Sequence, residues 1–334
     1  MTDRLVDLAA TPEWLPFELD LAGGRVAWLQ MTEADYRAAS FLDQRVLTPN
    51  SAIVEANWAD LTLPAGARRD AQYIFHVGNV GSTLISRLLG ELPDVLALRE
   101  PLLLRTFADA PPGAEDFDRL TALLSRTFRP EQRANVKATS FTSEIADRLV
   151  PPRSKALFLY ARPDRYLENI LAGENSWQTL QALSPIRLAR LQRRCPGLEV
   201  ELAGMHDGLK AALGWACEMT SLEAASARMP EGTVLWLDFD TFLADPAAHL
   251  AAIAGHFGHA ADAASVRAIV EGGLMGRYSK ALDHEYSPDL RRRILADARH
   301  RHAAAIRDGL NWIEGLAGRY PTVAGAIRRA RGTG

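Results

Sequence analysis

A glycine-rich turn, Gly78-Asn79-Val80-Gly81-Ser82-Thr83, has the composition of an anion-binding loop. Glycine lets the backbone adopt the conformations in which successive N–H groups turn inward on an anion. Ser82 and Thr83 open the helical pattern that follows, and they would add hydroxyl donors at its positive end. An ordinary connection between a strand and a helix fits the same residues, so both interpretations stay open at this point.

The turn lacks the lysine of loops that bind nucleoside triphosphates. Those loops follow the pattern G-x-x-x-x-G-K-[ST], in which the lysine reaches the β- and γ-phosphates. The turn here is shorter and contains no lysine. A conventional kinase or ATPase is therefore disfavoured, although the run VLWLDFD ends in two aspartates, Asp238 and Asp240, that could hold magnesium.

Short apolar runs alternate with helical patterns from residue 71 onward. The runs are YIFHV (73–77), VLAL (95–98), NVKA (135–138), ALFLYA (156–161) and TVLWL (233–237). This alternation predicts an α/β fold, with a parallel sheet of buried strands and helices on both faces. Ligands of such sheets bind beyond the carboxyl ends of the strands, so the residues directly after each run are candidate site residues.

Residues 1–68 predict an N-terminal cap on this domain. Two strands within 13–31 are joined by a glycine turn, and a helix over 32–47 begins at Thr32 as N-cap. The main α/β domain then covers 69–334.

Two helical segments are predicted inside the main domain. About seventy residues separate the last two apolar runs, which is too many for one crossover. A helical insertion at 174–228, covering the site, is therefore expected. Pro288 to Ala317 predicts one long helix with Ser287 as its cap.

Composition narrows the class of protein. The 334 residues are 48% hydrophobic and 24% charged, which predicts a substantial core, and the net charge of −3 argues against a general nucleic-acid binder. Cys195 and Cys217 are the two cysteines, so a disulfide framework and a zinc site are not expected. No stretch is apolar enough for a signal sequence or a membrane span, and we expect a cytoplasmic protein.

Charge is unevenly distributed along the chain. Residues 1–64 contain ten acidic residues and four arginines, whereas residues 288–334 contain ten arginines and four acidic residues. Either the two ends face each other or water, or a basic helix meets an anionic ligand.

Several motifs resemble those of the sulfotransferases, a family with a P-loop NTPase-like fold. FHVGNVGSTLISRLL resembles their 5′-phosphosulfate loop, whose usual form is close to Pro-Lys/Arg-Ser-Gly-Thr-Thr-Leu. LREP (98–101) is similar to their Glu-Pro after the second strand. LYARPDR (159–165) is similar to their 3′-phosphate motif, with Pro and Asp exchanged. LDFD, LADP and HFG, within 237–258, resemble a late block, and together the motifs span roughly 71–260.

The resemblance implies transfer of a sulfuryl group from 3′-phosphoadenosine 5′-phosphosulfate (PAPS), as donor substrate, to a small-molecule or glycan acceptor. No metal is implied. It implies that Arg162 binds the 3′-phosphate. It also implies that the 5′-phosphosulfate is bound by the loop residues Gly78, Asn79, Val80, Gly81, Ser82 and Thr83. The pattern is similar to a bacterial sulfotransferase-like branch with a divergent loop, and the insertion at 174–228 would select the acceptor.

Two positions depart from the family. Asn79 stands where the family has a lysine or arginine, and Ile170 stands where it has a serine eight positions after the arginine. Ser279 and Lys280 follow the last strand, where sulfotransferases close a basic loop over the nucleotide, and could restore the lost hydroxyl and charge. A plain surface loop is the alternative. We expect Lys280 or Lys137 to direct its ammonium group at the glycine loop.

Sulfuryl transfer needs a base for the acceptor proton and cations around the transferring group. Glu100, at the carboxyl end of the second strand, is the candidate base, and a salt bridge with Arg99 or Arg105 is the alternative role. Lys137 follows a buried strand, where a lysine is costly unless it is paired or bound to an anion. We therefore predict that Lys137 acts near the sulfuryl group.

Two other functions fit the sequence. One is a nucleotide-dependent phosphotransferase that uses Asp238 or Asp240 with magnesium, and the other is a catalytically silent nucleotide-binding or interaction protein. In each case the expected partners are small molecules, with no nucleic acid and no membrane span.

Overall fold

Two β-sheets organise the chain. The structure is a computed structural model that describes residues 8–277 and 285–332. A three-stranded antiparallel sheet has the order β1-β2-β3, and a five-stranded sheet has the order β5-β6-β4-β7-β8. The strands are β1 (Trp14–Asp20), β2 (Arg25–Gln30), β3 (Ile53–Asn57), β4 (Gln72–His76), β5 (Val95–Arg99), β6 (Arg133–Lys137), β7 (Ala156–Tyr160) and β8 (Val234–Asp238).

The larger sheet is parallel throughout and confirms the predicted α/β fold. Each predicted apolar run overlaps one of its strands, with ends that differ by two residues at most. β4, β5 and β7 are buried along their whole length, as expected for strands covered on both faces by helices. β4 lies in the centre, so the glycine turn that follows it emerges in the middle of the carboxyl edge.

Helices cover the sheet and form most of the rest of the chain. No helix of the described residues is both long enough and apolar enough to cross a membrane. The helices are α1 (Glu33–Ala38), α2 (Ser82–Leu89), α3 (Leu103–Asp109), α4 (Ala114–Leu124), α5 (Ala146–Leu149), α6 (Pro163–Leu171), α7 (Glu174–Arg194), α8 (Asp207–Ser226), α9 (Phe239–Ala244), α10 (Pro246–Phe257), α11 (Ala263–Glu271), α12 (Pro288–Arg301), α13 (Ala303–Ala317) and α14 (Pro321–Ala330).

The N-terminal sheet contains the predicted hairpin and one strand that the sequence did not indicate. β1 and β2 pair antiparallel around the glycine turn. β3 adds to the outer side of β2 with every residue at least partly exposed. Its five residues therefore lack the apolar run by which a buried strand can be recognised.

The predicted helix over 32–47 is wrong in its length. Thr32 caps it as expected, with the reciprocal side-chain and backbone bonds of a capping box, but α1 ends at Ala38. Beyond its end, the backbone of Leu42 forms hydrogen bonds with residues at the end of β5 and just after it. Its N–H donates to the Arg99 carbonyl at 2.7 Å, and its carbonyl accepts from the Leu102 N–H at 2.9 Å. Pairing with another segment has overridden local helix propensity.

Arg99, the last residue of β5, ties the N-terminal segment to the main sheet. Its buried guanidinium donates Nη1 to the carbonyls of Tyr36, Arg37 and Ala39 at 3.1, 3.3 and 2.6 Å. These carbonyls end α1 and have no partner within the helix. A cation at a helix C-terminus also complements the helix dipole.

The predicted single helix from Pro288 to Ala317 is divided at His302 into α12 and α13. Ser287 caps it as expected, through its side chain and the Leu290 N–H. After the break, α13 lies close to Gly208 of α8, where an added Cβ would come 2.1 Å from the Ala305 carbonyl oxygen. The break at His302 thus changes the direction of the chain and lets α13 pack closely on α8.

Some arginines of the C-terminal segment pair with acids from the middle of the chain, and others pair within the segment, as Arg292 does with Asp289. The acidic N-terminal segment pairs elsewhere; Glu33, for example, meets Arg129 at 2.7 Å. These pairs do not show the alternative in which the two ends face each other, whereas the exposed pairs within the C-terminal segment agree with the alternative in which it faces water. The central pairs are Arg291–Asp240 at 2.8 Å, Arg299–Glu168 at 2.6 Å and Arg329–Glu223 at 3.0 Å.

Replacing Arg99 with Met should destabilise the protein by about 2–3 kcal/mol, because one buried and two half-buried carbonyls would lose their charged donor. Arg37→Met is the matched control: Arg37 lies on α1, the helix that Arg99 contacts, but it is exposed and makes a long bond of 3.3 Å to the Gly90 carbonyl, so its loss should cost about 0.5 kcal/mol. Urea unfolding of both variants measures the difference. Equal midpoints would show that Arg99 does not anchor the N-terminal segment.

Candidate functional site

The glycine loop between β4 and α2 adopts left-handed backbone at three positions. Gly78, Asn79 and Gly81 have φ values of 94°, 53° and 67°. Such residues build the concave arrangements of N–H groups that bind anions. Gly81 is the N-cap of α2, whose first N–H groups have no partner within the helix. The backbone therefore has the form that an anion cradle requires.

His76, the last residue of β4, fixes the start of the loop. Its Nδ1 accepts the Gly78 N–H at 3.1 Å, and its Nε2 donates to the Ala138 carbonyl at 3.0 Å. These two bonds require the neutral tautomer with the proton on Nε2. His76 is thus a satisfied core residue that supports the loop.

The helical end of the loop contains two buried hydroxyl residues and closes against an aromatic ring. Ser82 and Thr83 are buried, and the Thr83 hydroxyl has no hydrogen-bond partner in the described structure. Val80 is fully buried. Phe239 packs so closely on Gly81 that a Cβ at this position would lie 2.0 Å from its ring. Only glycine fits here without displacement of the ring.

A cavity of about 320 Å³ adjoins the loop on the side of β7 and β8. Asn79 and Gly81 line it, together with Asn169, Arg277 and Arg291. The Asn169 Nδ2 donates to the Asn79 carbonyl at 3.3 Å. The cavity walls also include the apolar residues Leu84, Phe239, Leu243, Met275 and Ile294. The site therefore combines a polar end at the loop with an apolar body.

Arg291 is the buried cation of this cavity. The residue is 8% exposed, and its Nη1 forms an ion pair with the Asp240 carboxylate at 2.8 Å. Its guanidinium carbon lies 5.3 Å from the centre of the Phe239 ring. Its other terminal nitrogen, Nη2, is buried without a hydrogen-bond partner in the described structure. The sequence analysis missed both Arg291 and Asn169.

Glu100 and Lys137 form a buried ion pair on the other side of the loop. They stand at the ends of the neighbouring strands β5 and β6, and the Lys137 Nζ donates to the Glu100 Oε1. Burial lowers the pKa of Lys137, and the charge of Glu100 opposes this shift. Glu100 has a left-handed backbone with a φ of 53°, and its N–H donates to the Lys137 carbonyl at 2.7 Å.

The β6 strand connects this pair to the loop. Three residues after Lys137, the Ser140 Cβ lies 3.6 Å from where a Cβ on Gly78 would stand. The alternative salt-bridge partners of Glu100 are engaged elsewhere: Arg99 holds the N-terminal segment, and Arg105 lies 3.8 Å from Asp43.

The remaining residues of the predicted nucleotide site lie further from the cavity or outside the described residues. Arg162 is 58% exposed, pairs with Asp164 at 3.0 Å and does not line the cavity. Ile170 is buried, and Asn169 beside it makes the contact with the loop. Ser279 and Lys280 fall in the segment that the structure does not describe. The flanks of that segment, at Arg277 and Tyr286, both line the cavity.

Neither aspartate of the VLWLDFD run is an open metal ligand in the structure. Asp238 caps α9 by accepting the Thr241 N–H at 3.0 Å, and burial raises the pKa of its carboxyl. Asp240 lies between two guanidiniums, 3.2 Å from Arg165 and 2.8 Å from Arg291. In the described parts of the chain, His, Cys, Asp and Glu form no cluster of three that could hold a metal ion.

Comparison with known proteins adds a structural similarity. No protein-family model and no curated protein matches the sequence. Among solved structures, a sulfotransferase domain from the curacin biosynthetic pathway is 13% identical over 65% of this chain and 83% of that chain, with a TM-score of 0.41. A sulfotransferase from Alicyclobacillus acidocaldarius is 17% identical over 72% and 96% of the two chains, with a TM-score of 0.38.

A mouse sulfotransferase complexed with PAP is 12% identical over 74% of this chain and 90% of that chain, with a TM-score of 0.35. The solved structures similar to this protein thus include bacterial and mouse sulfotransferases.

Gly81→Ala should distort the loop, because its Cβ would overlap the Phe239 ring as well as adopt an unfavourable φ. Gly66→Ala isolates the second effect, since Gly66 has a φ of 74° and nothing within 4 Å of its Cβ position. We expect a loss of about 1 kcal/mol for Gly66→Ala and about 2–4 kcal/mol for Gly81→Ala, measured by urea unfolding. Adding Phe239→Leu should recover part of the Gly81→Ala loss. Equal losses of unfolding free energy for the two variants would show that the Phe239 ring moves aside at little cost.

Proposed function

We propose that this protein transfers a sulfuryl group from PAPS to a hydroxyl or amine acceptor. The observation that carries this proposal is the buried Glu100–Lys137 pair beside the glycine loop. Asn79 and Glu100 are the described non-glycine residues with positive φ, and both lie at the carboxyl edge of the sheet. Strained backbone of this kind costs about 1–3 kcal/mol and is concentrated at functional sites.

Glu100 is suited to act as the base. In the proposed reaction the acceptor oxygen or nitrogen attacks sulfur, and its proton passes to the Glu100 carboxylate. The bond between sulfur and the bridging oxygen breaks, and its electron pair leaves on the 5′-phosphate of the product, adenosine 3′,5′-bisphosphate (PAP). Because protonation of Glu100 weakens its pairing with Lys137, the ammonium group becomes available to the charge that gathers on the sulfuryl group.

The glycine loop and its hydroxyls would hold the donor's phosphosulfate. The residues fit such a group, because Thr83 Oγ1 and Arg291 Nη2 are buried polar atoms without a hydrogen-bond partner among the described residues. Buried polar groups are costly unless something bonds them, and an anion on the loop would do so. Arg162, Ser279 and Lys280 stay proposed ligands of the nucleotide, as the family resemblance implies.

A groove in the N-terminal segment offers a route for the acceptor to Glu100. Phe41 and Arg45 line this groove of about 880 Å³. The Phe41 ring centre lies 5.6 Å from the Lys137 ammonium. The Arg45 guanidinium donates to the Asp43 carboxylate, and this bond, with the charges of Asp43 and Glu100, raises the pKa of Arg45. The other lining residues include Thr32, Ser40, Thr48, Asn50 and Ser51, whose hydroxyls and amides suit a polar small molecule or a glycan.

The insertion 174–228 is the second surface that could select the acceptor. Its helices α7 and α8 pack on each other through a buried Arg187–Glu218 ion pair of 3.0 Å. Ser176, in the first turn of α7, lines the smaller cavity beside the loop. The insertion thus contributes to the cavity in which the donor would bind. An acceptor that it selects would have to enter beside this cavity and not through the groove.

Calorimetric titration with PAP, and separately with ATP and magnesium, tests the proposed donor. We expect binding of PAP without a metal requirement. Tight binding of ATP that depends on magnesium, with no affinity for PAP, would instead support a phosphotransferase. Binding of neither nucleotide would contradict the proposed function.

Glu100→Gln should lower turnover by about 10²–10⁴-fold while PAP affinity stays nearly unchanged, because a base acts on the acceptor rather than the donor. Turnover is measured as PAP release from PAPS in the presence of a panel of phenols, alcohols and sugars. Glu218→Gln is the control, since Glu218 is also a buried carboxylate paired with a cation, but in the helical insertion. It should lose stability and retain turnover. Near-normal turnover in Glu100→Gln would show that Glu100 is structural.

A further inference from the structure

The glycine loop has no cation of its own, and the structure supplies one from a distant part of the chain. Asn79 occupies the loop position at which the sequence resemblance leads one to expect a lysine or arginine. The lysines and arginines that line the adjoining cavity, within the described residues, are Arg277 and Arg291. Arg277 is exposed, whereas Arg291 is buried.

We propose that Arg291, on the C-terminal helix α12, is the cation that binds the anionic ligand on the glycine loop. This inference rests on the proposed function in one respect, since it takes the ligand to be the phosphorylated donor. It concerns a residue more than 200 positions along the chain from the loop, outside every motif that suggested a nucleotide site.

Packing connects Arg291 directly to the loop. Its guanidinium stacks near Phe239, and the same ring closes on Gly81 at the N-terminus of α2. Arg291, Phe239, Gly81 and Asn79 therefore line one cavity. A guanidinium held by an aromatic face and an ion pair keeps its remaining donors in a fixed plane, as phosphate recognition requires.

The hydrogen bonds of Arg291 are incomplete without a ligand. Nη1 lies 2.8 Å from the Asp240 Oδ1 as an ion pair without hydrogen-bond geometry, and both that oxygen and the Arg291 Nη2 are buried without a hydrogen-bond partner in the described structure. An unsatisfied buried donor on a charged group is costly, and most such groups in folded proteins are bonded to a protein atom, a water or a ligand. An anion in the cavity would supply the missing acceptor.

Arg291 belongs to a network of buried and half-buried ion pairs. Asp240 is shared by Arg291 and Arg165, and Glu168 is shared by Arg165 and Arg299. Three guanidiniums thus face two carboxylates. Asp238 is a third carboxylate of this region; burial and the charge of Asp240 raise its pKa. An anion in the cavity would therefore compete with Asp240 for the guanidinium of Arg291.

The shape of the cavity indicates what carries the charge. Leu84, Leu243, Met275 and Ile294 form apolar walls beyond the polar end. An inorganic anion would leave these walls without contacts, whereas a phosphorylated or sulfated molecule with a flat or apolar body would cover them. A nucleotide has this combination of groups.

The test compares Arg291→Met with Arg292→Met by calorimetric titration with PAP and with inorganic phosphate. Arg292 is the matched control, because it is the next residue of α12, 71% exposed and paired with Asp289. Loss of one charge-assisted contact should weaken binding of PAP by Arg291→Met about 10- to 100-fold. Arg292→Met should bind like the unchanged protein. High salt should reduce the difference.

A third variant, Asp240→Asn, separates binding from folding. It removes the same ion pair as Arg291→Met but leaves the guanidinium in place, so it should bind PAP as tightly as the unchanged protein or more tightly. If both variants bind equally weakly, Arg291 only holds Asp240, and the inference is overturned. Should Arg291→Met fail to fold, Arg291→Lys takes its place; it keeps the charge and loses the planar fork, and it should bind at an intermediate level.

The remaining outcomes distinguish this inference from the proposed function. If the unchanged protein binds PAP and Arg291→Met binds it equally well, the inference fails and the proposed donor stands. If the unchanged protein binds phosphate in a manner that depends on Arg291 but does not bind PAP, the inference stands and the donor is wrong. Binding of neither ligand contradicts both.

Discussion

The buried ion pair between Glu100 and Lys137 is the interaction on which the carboxyl edge of the sheet depends. Breaking a buried pair by removing one partner costs about 3–5 kcal/mol, so loss of either side chain should destabilise this edge of the sheet. The pair fixes the ends of β5 and β6, and the backbone bond from the Glu100 N–H to the Lys137 carbonyl holds Glu100 at its strained φ. Through Ser140, the same β6 segment lies against Gly78. The position of the loop and that of the proposed base are thus set by one constraint.

The parts of the fold that could be predicted are those whose cause lies in a few residues adjacent in sequence. The strands of the main sheet are short apolar runs because both faces are buried, and Thr32 and Ser287 can be recognised as caps from their side chains alone. β3 was not predicted, since its exposed residues carry no such pattern. The helix over 32–47 was predicted too long because the pairing of Leu42 with the end of β5 is a tertiary interaction that no local pattern reveals.

The candidate site also contains residues that the sequence indicates and residues that it does not. The glycine loop and Glu100 could be predicted because their residues follow buried strands. Arg291 could not be singled out, because residues 288–334 contain ten arginines and the sequence does not show which of them becomes buried. Arg291 and its neighbour Arg292 differ only in the side of α12 that each occupies, yet the first is 8% exposed and the second has a side chain that is 71% exposed. Asn169 was not predicted, because the family resemblance points to the next position, where Ile170 is buried and carries no polar group.

A site whose cation comes from a distant helix is assembled differently from one whose loop contains a lysine. A lysine within the loop is positioned by the loop itself, so amides and charge come together locally. Arg291 reaches the loop only when α12 packs against Phe239 and Asp240, and its placement therefore depends on the native tertiary structure. The Asp240 carboxylate holds the guanidinium in place before any ligand arrives, so little side-chain entropy remains to be lost on binding. That same carboxylate also competes with the ligand for the guanidinium, so the affinity of the site would be set by the balance of charges around Asp240 as much as by the glycine loop.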